Sequence, residues 1–599
     1  MFEEQPIGEG SRLKVLLAGL NAKYIHSSLA LYSLAAVCRA KGQTVEVVEY
    51  TINQEFLHVL GDIADREPDV VGFACYIWNR RMTLKITSEL KKILPEVLVV
   101  LGGPEVSADA ASVLEECPAV DYIIQGEGDE SFSELLEQLA GGARTITVAG
   151  VAQRMGERIE LNGGVRVVKD LDCLPFPYTD EQMHELKNRI VYYESSRGCP
   201  FSCSYCVSAK SRDVRTRSVN KVKEELGFFL RHSVSQVKFI DRTFNVKPEH
   251  YREIWRFLQE HQGKTGFHFE IVADLLTDED VQWLTNVPPQ LFQFEIGIQS
   301  TAQSTLEAIG RQNRWGKLAR NIGYLREKGN IHLHLDLIVG LPQEGFSGFA
   351  DSFNATYSLQ PNMLQIGFLK LLPGTRIRAE AGKHGYVCLS EPPYEILANH
   401  VLSYKEVLRL KCLEEVFNQT YNSGRFTHTL SYLVKNAGDG DAFLFYCRLS
   451  EWWKNHRLTG VPHSPDRVLG YLLEFAQGLD QEKQKWVAEL LKVDVLLDET
   501  RALKGDSLAW NKEKWEKAKN DLWRSESKMQ QYVPDYAFTN WRDIKKRFPI
   551  EVFSVPVISW IESRREAKDE KAAVLFDLTH HGSIWHLLPR NDFSLEAAL

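Results

Sequence analysis

The sequence predicts an α/β protein in three parts: a doubly wound parallel sheet, a partial six-stranded βα barrel and a mostly helical C-terminal region. Three observations carry this. At 599 residues the chain exceeds what one hydrophobic core organises, so several domains are expected. From Leu13 to about Gly141, and again from Ile190 to about Leu369, apolar β-branched runs alternate with helical patterns, as parallel strands buried on both faces do. From about Tyr394 strand patterns stop and amphipathic stretches take over, with nine of the 13 tryptophans between Trp452 and Trp585.

In the first series K-V-L-L-A-G-L (14–20) leads into a helix from Ser28 to Lys41, stopped at Gly42. Strands follow at 44–50, 69–76, 97–103 and 120–126. Gly102, Gly103, Gly126 and Gly128 sit at C-terminal strand ends, the edge where open α/β sheets bind ligands, although glycines also simply end strands. Residues 142–185 are irregular, with short strands and the Pro-containing C-L-P-F-P-Y (173–178). The second series places strands at 190–196, 236–241, 267–272, 292–298, 332–340 and 363–369, fewer than a closed eight-stranded barrel, with chemistry expected at their C-terminal ends. The expected domains are 1–145, a linker over 146–185, a barrel over 186–390 and a helical domain over 391–599.

Composition narrows the function class. A net charge of −9 argues against broad, charge-driven binding to nucleic acid. The acidic N-terminus M-F-E-E-Q-P-I-G-E-G predicts no signal or transit peptide, and no run reaches the roughly 18 apolar residues of a membrane span. Cys38, Cys75, Cys117, Cys173, Cys388, Cys412 and Cys447 are scattered, unlike a disulfide framework, so a reduced, cytoplasmic protein is expected. W-N-K-E-K-W-E-K-A-K-N-D-L-W (510–523) reads as a core or docking face rather than a nucleic-acid platform. His580 and His581 have no neighbouring Cys or acidic pattern and read as ordinary residues rather than metal ligands.

The most specific stretch is R-G-C-P-F-S-C-S-Y-C (197–206), just past the first barrel strand. Structural zinc needs a fourth ligand, and none lies near Cys199, Cys203 and Cys206. A [4Fe–4S] cluster on three thiolates leaves one iron for a small molecule, and Gly198 and Pro200 suit a tight loop around it.

This stretch resembles the signature of radical S-adenosylmethionine (SAM) enzymes, and the match continues in order. F-I-D-R-T-F-N (239–245) resembles the second-strand segment of the cobalamin-dependent branch, F-E-I-G-I-Q-S (294–300) the fourth-strand motif, D-L-I-V-G-L-P-Q-E (336–344) the fifth and L-K-L-L-P-G-T (369–375) the sixth. The resemblance implies that Cys199, Cys203 and Cys206 hold the cluster and that SAM chelates its fourth iron. It places Tyr205 near the adenine, Asp241 and Thr243 near the SAM amino acid, Glu295, Gln299 and Ser300 near the ribose or methionine, and Gly340 and Leu341 in the adenine pocket. One electron would then cleave SAM to a 5′-deoxyadenosyl radical that abstracts a substrate hydrogen. A flavodoxin- or ferredoxin-type donor is implied.

The preceding α/β domain resembles the cobalamin-binding arrangement. G-G-P-E-V-S (102–107) and G-E-G-D-E-S (126–131) resemble its loops, implying corrin contacts from Gly102, Gly103, Glu105, Gly126, Glu127 and Gly128. No D-x-H-x-x-G follows the first strand, and His26 stands outside any such motif, so C-Y-I-W-N-R (75–80), with Tyr76, Trp78 and Asn79, is expected under cobalamin without a strong protein ligand. A methylthiotransferase would need three N-terminal cysteines on a second cluster, but Cys38 falls in a helix and Cys117 before the fifth strand, leaving only Cys75. With cobalamin, the implied reaction is methylation of an unactivated carbon, one SAM methylating cobalamin and a second supplying the radical. A non-methylating oxidation or rearrangement stays open. A non-catalytic cobalamin or iron–sulfur sensor is disfavoured by the retained SAM-pocket motifs. The C-terminal region resembles an extension found in a subgroup of these enzymes. A small metabolite or peptide is favoured over nucleic acid as substrate.

Overall fold

The computed structural model describes residues 13–593 other than 144, 157, 499, 512–514, 538–539, 567–571, 579–583 and 589–592. The N-terminal decapeptide, His580 and His581 lie outside the described residues. The chain divides into two compact units, the first running to Tyr404 and the second from Lys405, with short pieces of 353–364 joining the second.

The first unit opens with seven strands: β1 (Val15–Asn21), β2 (Val45–Thr51), β3 (Val70–Ala74), β4 (Leu98–Gly102), β5 (Tyr122–Ile124), β6 (Val151–Met155) and β7 (Arg158–Leu161). They pair in the order β2-β1-β3-β4-β5-β6-β7. The first five are parallel, with β1 and β3 buried throughout because helices cover both faces. The order reverses between β1 and β3, so the loops leaving them diverge and open a crevice at the C-terminal edge. Within the stretch expected as a linker, β6 pairs antiparallel to β5 and β7 antiparallel to β6, so residues to about 161 extend the first sheet.

The barrel strands are β8 (Ile190–Tyr193), β9 (Gln236–Phe239), β10 (Gly266–Ile271), β11 (Phe292–Gln299), β12 (His332–Val339) and β13 (Met363–Phe368). They hydrogen-bond in chain order as one open sheet, parallel from β8 through β12. Strict alternation sorts their side chains. Phe267, Phe269, Phe292 and Phe294 face the helix Pro248–Glu260, whose Trp255 lies 5.4 Å from Phe294 ring to ring. The residues between them face the lumen.

The second unit is mainly helical, and it also carries strands that the sequence reading did not predict: β14 (Ile550–Phe553), β15 (Ala572–Asp577) and β16 (Ile584–Leu588) form an antiparallel sheet. These strands are short, and a brief apolar run such as A-A-V-L-F cannot be told from a buried helix turn by periodicity. Trp515 and Trp523 are buried against Ile544, Phe548 and this sheet, matching the core reading of 510–523. Among the described residues, no helix is long and apolar enough to cross a membrane.

Candidate active site

The cysteine loop follows β8 and closes on itself through the short ladder Ser196–Arg197 with Arg215–Thr216. Gly198 has φ 103°, and a Cβ there would lie 2.1 Å from the Asp213 carbonyl oxygen, so no side chain fits. Backbone bonds pin the loop: Cys199 N–H donates to Ser211 O (2.9 Å), Ser204 N–H to Ile309 O (2.8 Å), and Ile377 N–H to Ser204 O (3.0 Å). The loop is thereby tied to the segments following β11 and β13.

The three thiols gather at this mouth. Cys199 Sγ is 3.7 Å from Thr243 Oγ1, and Arg311 Nη1 is 3.8 Å from Cys203 Sγ. Burial pushes the Cys199 thiol up, opposed by the Phe201 N–H and Thr243, with Cys206 and Cys203 adding to the rise. Among the described residues no three His, Cys, Asp or Glu side chains group tightly enough to chelate one metal ion. Three neighbouring thiols are the donor set that a multinuclear cluster would take, each iron holding one thiolate. The buried Arg311 guanidinium beside them suits an anionic cluster. No spacing in the sequence singles out Arg311.

The residues expected around SAM separate into three groups. Tyr205 and Leu341 share one apolar patch with Leu306, Ile309, Leu369 and Ile396. Thr243 touches Cys199, and its hydroxyl donates to Arg242 O at 2.7 Å. Gln299, at φ 70°, folds its amide back over Gly297 and leaves its buried Oε1 without a partner among the described residues. These face the mouth.

Others turn away from it. Asp241 is wholly buried: its carboxylate accepts from Ser195 N–H (3.0 Å), Ser195 Oγ–H (2.6 Å) and Ser196 Oγ–H. Burial still pushes it up to about 6. With both oxygens engaged, Asp241 braces the loop base. Ser300 likewise donates to Glu344 Oε1 at 2.6 Å in a buried knot with Ser352. Gly340 is covered: its carbonyl accepts from Tyr386 Oη–H (2.8 Å) and Asn399 Nδ2–H (3.2 Å), and a Cβ would lie 1.9 Å from Ile396 Cδ1. Glu295 lies inside the lumen on Lys238 and His268, which outweigh the cost of burial and hold its carboxyl well below the usual range. In each case a long-range partner, invisible in local spacing, has taken the polar group.

At the crevice of the first sheet Tyr76 and Trp78 stack at 4.5 Å with an 8° interplanar angle, and Trp78 keeps 45% of its surface exposed. Asn79 holds this loop and is itself buried: Nδ2 donates to Leu20 O and Ala74 O, and Oδ1 accepts from Tyr76 N–H. Gly102 carries β4 into the turn, and at Gly103 a Cβ would lie 2.5 Å from Cys75 O, so close backbone approach explains that glycine. At Gly126 a Cβ would strike Val165, while Gly128 precedes the helix Asp129–Ala140. Two expected corrin contacts have protein partners instead. Glu105 accepts from Tyr394 Oη–H beside Arg80, its carboxyl pushed up by burial. Glu127 is gripped by Arg215, Arg197 and Val168 N–H, which overcome its burial and hold it below the usual range. His26 shares a 2.7 Å hydrogen bond with Tyr192 Oη, engaging one ring nitrogen with the barrel.

Arg197, immediately before Gly198 and Cys199, donates to Asp129 (2.7 Å), Glu127 (3.3 Å) and Glu194 (2.7 Å). The cysteine loop is thereby tied to the loop that follows β5, at the C-terminal edge of the first sheet.

Residues 15–136 match the model for the B12 binding domain, residues 193–355 that for the Radical SAM superfamily, and residues 382–576 that for a protein family of unknown function, DUF4080. The chain is 30% identical over 305 residues to the cobalamin-dependent radical SAM methyltransferase TokK of Streptomyces tokunonensis, covering 48% of this chain and 45% of that protein. It is also 30% identical to the 2-(S-pantetheinyl)-carbapenam-3-carboxylate methyltransferase of Streptantibioticus cattleyicolor, with 48% and 45% covered. The match thus spans less than half the length of these relatives. Among solved structures, the cobalamin-dependent SAM radical enzyme OxsB with aqua-cobalamin superposes with a TM-score of 0.60 at 15% identity, covering 83% of this chain and 82% of that one. The radical SAM methyltransferase TsrM from Kitasatospora setae gives 0.55 at 19% identity, covering 64% and 78%. These likenesses establish the fold, and the chain carries a B12-binding domain, a radical SAM domain and a C-terminal DUF4080 region.

Proposed function

We propose that this chain is a cobalamin-dependent radical SAM enzyme that methylates an unactivated carbon. The observation that carries the reading is the tie between the two sheets: the loop of Cys199, Cys203 and Cys206 is bonded through Arg197 to Glu127 and Asp129 at the C-terminal edge of the first sheet, the edge that also carries the Tyr76–Trp78 stack. Relatives at 30% identity named as methyltransferases favour methylation over oxidation or rearrangement.

The three cysteines would hold a [4Fe–4S] cluster as thiolates, with Arg311 balancing charge at Cys203. Tyr205, packed on the buried Leu341, would give SAM an apolar wall, and Gln299 Oε1, without a partner among the described residues, would be free to accept a hydrogen bond from it. The flat Tyr76–Trp78 stack offers cobalamin a platform without a basic side chain in the stack itself. When bound, these groups supply methyl transfer and one-electron SAM chemistry. Arg197, half-buried among three carboxylates, would hold the cysteine loop against the loop that follows β5. A flavodoxin- or ferredoxin-type protein would deliver the electron in a cytoplasmic setting, and the substrate is a small metabolite or peptide in preference to nucleic acid.

Anaerobic reconstitution with iron, sulfide, cobalamin and methyl-labelled SAM tests this. About four irons per chain and stoichiometric cobalamin are expected, with S-adenosylhomocysteine forming in an extract that supplies substrate. Cys199→Ala, Cys203→Ala and Cys206→Ala should each lose the iron. Failure of the wild type to retain cobalamin overturns the reading.

A further inference from the structure

The chain that leaves β13 turns back and bonds to three parts of the candidate site. Ile377 N–H donates to Ser204 O of the cysteine loop at 3.0 Å. Tyr386 Oη–H donates to Gly340 O at 2.8 Å, and Asn399 Nδ2–H to the same oxygen at 3.2 Å, in the pocket expected for adenine. Tyr394 Oη–H donates to Glu105 Oε1, in the loop that follows β4 of the first sheet. Leu371 N–H to Tyr394 O (2.9 Å) and Ile396 N–H to Leu369 O (3.0 Å) pair the returning segment with the outgoing one, so the three contacts belong to one braced element.

The contact at Tyr394 is closely built. Tyr394 and Glu105 are both buried, and the phenol supplies the one hydrogen bond that the Glu105 carboxylate accepts among the described residues. Arg80 Nε lies 3.7 Å from that carboxylate but makes no hydrogen bond, so it balances charge without fixing direction. Arg378 steadies the ring: its guanidinium carbon is 4.8 Å from the Tyr394 centroid, and its Nη1 donates to Leu371 O at 2.8 Å. Tyr394 has φ 54°, a costly backbone for an aromatic residue that the surrounding bonds must hold in place. Glu105 N–H in turn donates to Cys75 O at 3.4 Å, and Cys75 leads directly into the Tyr76–Trp78 stack. A buried phenol–carboxylate pair gains little as adhesion, because desolvation offsets it; what it adds over an apolar contact is a fixed direction.

We propose that Tyr394 is a positioning residue for the methyl transfer: through Glu105 it holds the loop after β4, and the Cys75–Asn79 loop bonded to it, at a fixed offset from the cysteine loop. Its hydroxyl is committed to Glu105, so it acts through that residue. The series Ser204, Ile377, Arg378, Tyr394, Glu105 and Cys75 thereby keeps the SAM side and the cobalamin side of the site at one separation. Reductive cleavage of SAM needs only the cysteine loop and the SAM pocket, whereas methyl transfer also needs that separation. Loosening the Tyr394–Glu105 bond therefore slows methyl transfer selectively. This rests on the proposed function.

The test uses the reconstituted holoenzyme with SAM and titanium(III) citrate, so no substrate is required. S-adenosylhomocysteine reads methyl transfer to cobalamin and 5′-deoxyadenosine reads reductive cleavage, with iron and cobalamin quantified in the same samples. Tyr394→Phe should slow S-adenosylhomocysteine formation at least about fivefold and change 5′-deoxyadenosine formation by less than about twofold. Glu105→Leu, which removes the acceptor, should give the same split, and it carries the prediction if Tyr394→Phe does not load its cofactors. Glu105→Gln, which keeps an acceptor, should form S-adenosylhomocysteine at least about threefold faster than Glu105→Leu. Unchanged S-adenosylhomocysteine in Tyr394→Phe, an equal fall in both products, or no gain from Leu to Gln overturns the inference. Loss of iron or cobalamin in both Tyr394→Phe and Glu105→Leu also overturns it, because the bond is then purely structural. Any of these results with a loaded wild type sinks this inference alone; a wild type that retains no cobalamin sinks the proposed function and this inference with it.

Discussion

The two faces of the barrel sheet differ by a single residue step and by almost everything else. On β10 and β11, Phe269, Phe292 and Phe294 pack on Trp255 as a dry aromatic layer, with the buried Phe267 on the same face. Between them His268, Glu270, Gln293 and Glu295 project into the lumen. The outer face holds the sheet together through apolar area, while the inner face spends stability on charges matched in pairs. The difference teaches that the strand period separates scaffold from site here. A substitution on one face should be read in unfolding, and one on the other in binding.

The largest effect is expected from Phe269→Ala, which opens a cavity under Trp255, Phe239 and Phe292. A loss of about 3–5 kcal/mol in urea unfolding is expected. A loss under 1 kcal/mol would mean that the aromatic layer does not carry the sheet. Next comes Lys238→Met, which leaves Glu295 with His268 as its one close partner and should cost about 1–3 kcal/mol. The double variant Lys238→Met with Glu295→Leu should recover most of that cost, because an apolar pair replaces a stranded charge. If the double variant is worse than the single, the lumen charges are not coupled as pairs.

The smallest effect is the pH dependence of Glu270. Its folded pKa, about 7, lies above the ordinary carboxylate value, so its burial favours the protonated form. The stability of the native chain is therefore lost, relative to Glu270→Gln, as pH rises from about 4.5 through 7. Solvent access limits the difference between pH 5 and pH 8 to about 1–2 kcal/mol. Measuring both proteins at both values cancels the other titrating groups; a difference that does not change with pH would show that Glu270 is not desolvated.

Much of the fold was legible in local pattern. All six barrel strands and the five parallel strands of the first sheet fall within a few residues of the apolar runs that mark them. Short strands were expected around β6 and β7 but not their pairing onto the first sheet, and β14 to β16 were not legible, because a short apolar run does not separate a strand from a helix turn. In the site, Cys199, Cys203, Cys206 and Thr243 lie close together. Asp241, Ser300, Glu105 and Glu127 are bonded to Ser195, Glu344, Tyr394 and Arg215, partners that local spacing does not reveal, because buried carboxylates and hydroxyls bind whatever donor or acceptor the tertiary fold brings near.

By itself the sequence determined the order of the domains and the loop of three thiols, since strand period and ligand spacing are local properties of the chain. Only the tertiary structure decided which polar groups were left over. Arg311 beside Cys203, the Gln299 oxygen without a donor and the uncompensated Glu270 are defined by what distant strands place around them, and a buried charge or hydrogen bond is satisfied in space, not in sequence.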